Sequence, residues 1–494
     1  MSKRILQSGE GLNYFCTWSA QNRVAEQKAA VLASKGAFVG DQGAKGGRNM
    51  MTEALIFGDD ELKGFVTLYP EVHSDLMLIL DDGWDIPFDV HPGENSSAFG
   101  SLEINEGRFP SLKGSPAERL KQMNDRVKAA GWKGIGIWVA AQKAGADYAV
   151  PFDPAAHEPY WRERILWCKY ADVRYWKVDW GKQSSLPQFR ELLTDLGKQL
   201  YPELVIEHTR CVKPYNGIPK ENKPFYADNL SLAEQTLTIL KKSRVFRSYD
   251  VTCDRLSATT TLDRLSFLLS AEGGFVNCED ELYIGAALGC ALGIMRNPWG
   301  SESRAFCRCL AEVTAAVKWQ RIAPPFAGGE LVRSEEILTD KCYFYPGDTW
   351  CAELLNTTLT QAAPAVMARN TALPLVKPSA RPAFVLASQN PSGAYAVAAV
   401  RRYQHLQDTT PPNVTCQIGG ACTVGVFGNF ASLTLQGKTP VTRVVAESLF
   451  DGVSEDITHR VTVNGSTVTI SGEVLDALCR ATDESENAVM LRLA

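Results

Sequence analysis

The sequence predicts an α/β protein, a (β/α)8 barrel followed by a C-terminal antiparallel β-sandwich. Three observations predict it. Up to about residue 330, short apolar runs alternate with amphipathic, helix-like stretches, which is the pattern of a parallel sheet with crossover helices. Eight such runs fit into the first 300 or so residues, as a barrel with insertions requires. Past about residue 335 the helical period fades, and β-rich runs separated by turn residues take over.

The barrel strands are expected at Tyr14–Thr17, Leu76–Leu80, Gly134–Trp138, Tyr175–Val178, Leu204–Glu207, Val245–Ser248, Gly274–Asn277 and Gly293–Arg296. Helix-like stretches lie between most of them. Lys113 to Ala130 is the clearest, with Leu120, Met123, Val127 and Ala130 recurring at a helical period. The sandwich rests on runs such as Cys342–Tyr345, Tyr395–Val400 and Val461–Val463, with turns at Asn390-Pro391, Pro411-Pro412 and Asn464-Gly465. The segment Pro324-Pro325-Phe326-Ala327-Gly328-Gly329 marks the boundary, giving a barrel over 1–330 and a sandwich over 331–494.

The chain has 494 residues, 45% hydrophobic and 22% charged, so two or three domains with ordinary globular cores are expected. A net charge of -5 argues against nucleic acid, which needs a basic face to displace counterions. It suits a neutral carbohydrate substrate. The longest near-apolar run, Ile284 to Met295, is far short of a membrane span of about 20 residues. The 13 cysteines are scattered, and the lone Cys307-x-Cys309 pair is too little for a metal site, so neither metal nor cofactor is expected. Their odd count predicts reduced core thiols and a cytoplasmic setting; a periplasmic or secreted one requires a leader removed ahead of Met1. A homo-oligomer is compatible with the sequence. The barrel is expected to begin near Tyr14, with no large N-terminal β-domain before it.

Active-site residues of such barrels stand at the C-terminal ends of the strands. The second run ends in Asp81-Asp82-Gly83-Trp84, the third in Trp138, the fourth in Asp179-Trp180, the fifth in Glu207-His208-Thr209-Arg210 and the sixth in Asp250. Carboxylates and cations converging with indoles suit a sugar site, since they bind hydroxyls while aromatic faces stack on the ring. An aspartate after a strand often only caps the next helix. Two features stand against that reading here. The adjacent Asp81 and Asp82 repel each other unless something binds them. Lys177 lies inside an apolar strand, two residues before Asp179, so both point to the same side of the sheet. An inward-facing ammonium there would hold Asp179 ionised, as a nucleophile requires.

The ordered set Leu80-Asp81-Asp82-Gly83-Trp84, Arg108-Phe109-Pro110, Gly131 to Trp138 and Tyr175-Trp176-Lys177-Val178-Asp179 resembles the α-galactosidase clan of retaining glycoside hydrolases, over about residues 70 to 260. The resemblance implies that Asp179 is the nucleophile. It implies that Asp81 and Asp82 bind the 4- and 6-hydroxyls of a galactose-like ring beside Lys177, with Trp84, Trp138 and Trp180 around them. The clan's acid/base follows the sixth strand, commonly within Ser-Asp-x-x-Asp. This chain reads Ser248-Tyr249-Asp250-Val251-Thr252-Cys253-Asp254, so Asp250 is preferred and Asp254 is the fallback. Glu207 and Arg210 stand where the clan reads the C2 substituent, but they depart from its usual residues, and Ala140-Ala141-Gln142 replaces the acidic residues common after the third strand. These departures leave the sugar open among α-galactosides, α-N-acetylgalactosaminides and β-L-arabinopyranosides. Two further readings stay open on the residues alone. One is a barrel lyase using Lys177 as a Schiff base. The other is a barrel that binds glycans without cleaving them.

Overall fold

The structure, a computed structural model, describes residues 12–25, 43–60, 63–90, 96–146, 149–209, 230–248, 258–271, 273–296, 309–343, 358–402 and 409–494. Eight parallel strands close into a barrel: β1 (Tyr14–Cys16), β2 (Met77–Leu80), β3 (Ile135–Val139), β4 (Tyr175–Val178), β5 (Val205–His208), β6 (Val245–Arg247), β7 (Phe275–Glu279) and β8 (Ala291–Ile294). Pairing of β1 with both β2 and β8 closes the ring. All eight expected strands are therefore present. The apolar run from Ile284 to Met295 becomes the end of a short helix, Leu282–Leu288, followed by β8.

Local chemistry explains the crossovers. The helix Pro116–Ala129 starts at a capping box, in which the Ser115 side chain accepts from the Glu118 N–H and Glu118 reaches back to the Ser115 N–H. Its Leu120, Met123 and Val127 are buried at the expected period. The helices Pro154–Ala171 and Pro187–Leu200 also begin at prolines, where the missing N–H costs nothing. Outward residues of the strands, such as Leu78, Leu80, Ile137, Trp176 and Phe246, pack with these helices in one large apolar cluster. Inward residues alternate with them. Tyr14, Met77, Ile79, Tyr175, Val205, Val245 and Ala291 form a separate apolar layer inside the barrel.

After β8 the helix Ala311–Gln320 leads into the β-rich part. There an eight-stranded sheet and a five-stranded sheet accompany a two-stranded hairpin, Ile337–Tyr343 with Thr358–Pro364. Most strand pairs are antiparallel; three are parallel, such as Tyr395–Val400 beside Thr423–Gly428. The larger sheet packs on the barrel. Phe427 meets Tyr283 at 5.1 Å and Trp319 at 6.0 Å between ring centres. Among the described residues no helix is long and apolar enough to cross a membrane.

Candidate active site at the barrel mouth

The strand ends, together with the helix Gly43–Met50, bring five carboxylates and three cations together below the barrel rim. The carboxylates are Asp81, Asp82, Asp179, Glu207 and Glu279; the cations are Arg48, Lys177 and Arg247; all are buried. Among the described residues the carboxylates exceed the cations by two, five against three.

Asp179 follows β4 and faces the axis. Trp138 Nε1 donates to its Oδ2 at 3.1 Å, and Arg247 Nη2 lies 3.2 Å from its Oδ1. Its backbone is fixed from behind. Arg190, on the helix Pro187–Leu200, donates to the carbonyls of Val178 at 2.8 Å and Asp179 at 2.9 Å. Gly181 makes the turn that follows. Its φ is +150°, and a Cβ there would meet the Ala141 backbone at 2.7 Å.

Lys177 does face the axis, but its close partner is a different aspartate. Its ammonium is 2.9 Å from Asp81 Oδ2 and 3.7 Å from Glu279 Oε1, while the cation 3.2 Å from Asp179 is Arg247. Arg247 is thus a cation beside Asp179 in addition to Lys177 two residues before it in the strand. Burial, the largest single influence, works to lower the Lys177 pKa, yet Asp81, Cys16 and Glu279 together outweigh it and the pKa is raised. Asp81 Oδ2 also accepts from the Cys16 thiol at 3.0 Å, and its backbone N–H donates to Thr17 Oγ1 at 2.9 Å.

Asp82 takes Arg48 Nε at 2.7 Å on Oδ2, and its buried Oδ1 has no hydrogen-bond partner among the described residues. Burial, together with Asp81, pushes its pKa up to about 7 against the pull of Arg48. Gly83 permits this contact. At φ +116° it lies against the Arg48 carbonyl, where a Cβ would stand 2.6 Å from the oxygen. Arg108, of the Arg-Phe-Pro motif, clamps the same region by donating to the carbonyls of Arg48 at 2.7 Å, Met51 at 3.1 Å, Ile86 at 2.6 Å and Pro87 at 2.8 Å. That motif is a brace behind the site.

The tryptophans divide by role. Trp84 is fully buried in the cluster between strands and helices, and its Nε1 donates to the Trp138 carbonyl at 2.9 Å, so it is no sugar wall. Trp138 is almost fully buried and spends its N–H on Asp179. Of these three, Trp180 alone is part-exposed, packed against Trp138 at 5.4 Å and Phe99 at 4.8 Å between ring centres, with the Arg48 guanidinium 5.7 Å from its ring.

Glu207 stands level with Lys177 on the neighbouring strand, but the protein itself occupies its carboxylate. Tyr175 donates to its Oε2 at 2.7 Å and Asn277 at 2.6 Å, while Tyr14 donates to Oε1 at 3.2 Å and Arg247 Nε lies at 3.4 Å. Both oxygens are engaged by the protein, and the carboxylate braces Arg247. His208, beside it, faces outward, with Nε2 2.7 Å from Thr194 Oγ1 and a pKa held well below the usual range by burial and Arg190. Arg210, Asp250 and Asp254 lie outside the described residues.

Arg247 and Glu279 are additions that the structure makes to the expected site, and the sequence carries a signal for both. Arg247 is two residues after Val245 and therefore points inward, as Lys177 does after Tyr175. Glu279 was hidden because the expected seventh strand stopped at Asn277, two residues short of the observed end. For Arg48, brought in by the helix Gly43–Met50, the sequence holds no comparable signal. Among the described residues no group of side chains is arranged to hold a metal ion.

No family profile and no curated protein matches the chain. Solved structures resemble it weakly. A β-L-arabinopyranosidase from Geobacillus stearothermophilus is 10% identical, covers 85% of this chain and 88% of its own, and has a TM-score of 0.38. An α-galactosidase from Saccharomyces cerevisiae is 9% identical over 99% of both chains, with a TM-score of 0.36. A putative α-galactosidase/melibiase from Bacteroides fragilis is 14% identical over 84% of this chain and 71% of its own, also at 0.36. Likeness at this level says nothing of chemistry.

Proposed function

We propose that the chain is a retaining, exo-acting glycoside hydrolase, α-galactosidase-like, with Asp179 as its nucleophile. One observation carries the reading. A carboxylate at a strand end of a closed barrel is held by an indole N–H and a guanidinium, beside a second carboxylate paired to a buried lysine. Arg247 favours the ionised form of Asp179, which attack on an anomeric carbon demands. Asp82 Oδ1, buried and without a donor among the described residues, is an acceptor for a ring hydroxyl. Trp180 offers the exposed aromatic face on which the sugar ring stacks.

In the reaction, Asp179 attacks the anomeric carbon and forms a glycosyl ester as the leaving oxygen takes a proton from the acid/base. Water, deprotonated by that same group, then cleaves the ester. Asp250 is our assignment for the acid/base and Asp254 the fallback; a retaining mechanism requires the acting carboxyl to stand about 5–5.5 Å from that of the nucleophile. Asp81 and Lys177 bind ring hydroxyls. Arg210 reads the C2 substituent.

The Schiff-base reading is disfavoured by the Lys177–Asp81 pair. An imine-forming amine must be neutral, and this one is held charged. A panel of nitrophenyl glycosides covering α-galactoside, α-N-acetylgalactosaminide and β-L-arabinopyranoside tests the proposal and names the sugar. Proton NMR of the first product should show retained anomeric configuration; an inverted first product rules the mechanism out.

A further inference from the structure

A single chain of alternating charges crosses the barrel mouth. It runs from Asp81 to Lys177 at 2.9 Å, from Lys177 to Glu279 at 3.7 Å, from Glu279 to Arg247 at 3.6 Å, and from Arg247 to Asp179 at 3.2 Å. Its members come from β2, β4, β7, β6 and again the end of β4. Glu279 is the middle link. Its two cations are the ones that reach the proposed hydroxyl-binding aspartate and the proposed nucleophile.

Glu279 is fully buried, and its Oε2 has no hydrogen-bond donor among the described residues. Its one hydrogen bond there, from Tyr14 to Oε1, is long at 3.5 Å. A carboxylate placed only for stability would have donors on both oxygens, because burying a charge without them is costly. What Glu279 has instead is two cations, both just beyond hydrogen-bond range and both better engaged elsewhere. The groups facing it are the cations Lys177 from β4 and Arg247 from β6 and the neutral Tyr14 hydroxyl from β1. The carboxylates of Asp81, Asp179 and Glu207, the Cys16 thiol, and Asp280 beyond its own strand all feel its charge.

We propose that Glu279 is a positioning residue whose carboxylate shares the charge of Arg247 and Lys177 with Asp179 and Asp81, and that it thereby sets the pH at which Asp179 takes up a proton. The inference rests on the reading of Asp179 as nucleophile. Burial raises the pKa of Glu279 while Lys177 and Arg247 pull it down; where it is ionised it stands two links from Asp81 and from Asp179 and competes for the field of Arg247. Removing that anion leaves more of the Arg247 charge to Asp179, with Glu207 still beside the guanidinium, and Asp179 then stays ionised at lower pH.

The test is the pH dependence of kcat/KM, on whichever nitrophenyl glycoside the wild type cleaves, for Glu279→Gln and Glu279→Asp. The glutamine variant keeps the shape and loses the charge, so its acid limb should move down by about one pH unit. The aspartate variant keeps the charge, so its limb should stay with the wild type even where kcat falls. An unmoved limb in the glutamine variant, or equal shifts in both, overturns the inference. Glu279→Met is a second uncharged variant, expected to shift as the glutamine does, should the latter not fold. Failure of the underlying reading looks different: Asp179→Ala would then retain activity, whatever the Glu279 variants do.

Discussion

Inside the barrel, the residues that point at the axis change character within the length of one strand. Toward the strand starts they are Met77, Ile79, Tyr175, Val205 and Val245, an apolar layer. Two residues further along the same strands they are Asp81, Lys177, Glu207 and Arg247, with Asp179 above Lys177 and Glu279 alongside. The lower layer closes the barrel by burying apolar surface. The upper layer does not serve that end. Buried ion pairs are commonly no better for stability than packed hydrocarbon, and here the acids outnumber the bases. The contrast teaches that strand geometry supplies both layers alike, and that the second is the one on which the proposed function draws.

The comparison can be broken at either layer. The largest effect is expected for Asp179→Ala, which should lower kcat by about 10⁴-fold or more while leaving the melting temperature nearly unchanged. Added azide should restore turnover as a glycosyl azide of inverted configuration, read by NMR, and full activity without azide would sink the nucleophile assignment. Lys177→Met should damage both properties. It leaves Asp81 buried without its cation, so chemical denaturation should show a loss of about 3–5 kcal/mol together with a large rise in KM. Ile79→Ala, from the lower layer, should cost about 3 kcal/mol of stability and leave the kcat/KM of the folded fraction within about twofold. A large kinetic effect from Ile79→Ala would show that the two layers are not separable.

Asp82 sharpens the contrast through pH. Its pKa is raised by burial to about 7, so between about pH 4 and 7 the folded chain holds a proton that the unfolded chain has released. Stability must then fall as pH rises through that window, by up to about 1.4 kcal/mol per pH unit from this group. Asp82→Asn should flatten the slope of melting temperature against pH; an unchanged slope would place the titrating group elsewhere. The smallest effect is expected from Trp180→Ala. Removing the part-exposed face should raise KM by about fivefold with little change in kcat, whereas a fall in kcat alone would deny it a stacking role.

Much of the architecture could be read from residues near one another in the chain. The apolar runs that became β1 to β8 are each bounded by polar or glycine residues, and local pattern found all eight. The same locality explains why Asp81, Asp179 and Lys177 were identified, since each breaks an apolar strand in a way that can be seen from its neighbours. The failures were non-local. Trp84 reads as a mouth residue until Trp138 is seen to occupy its N–H. Glu207 reads as a sugar ligand until Tyr175 and Asn277 arrive from the flanking strands.

The sequence by itself determined the order of the elements, the phase of each strand and therefore which side chains face the axis, because period-two geometry is a property of the local backbone. Tertiary structure alone decided the partners. Which cation stands beside Asp179, which carboxylate Lys177 holds and where Arg48 and Glu279 enter the network depend on how strands far apart in the chain are set side by side when the barrel closes. Charge pairing follows distance in space, and a linear pattern does not carry that distance.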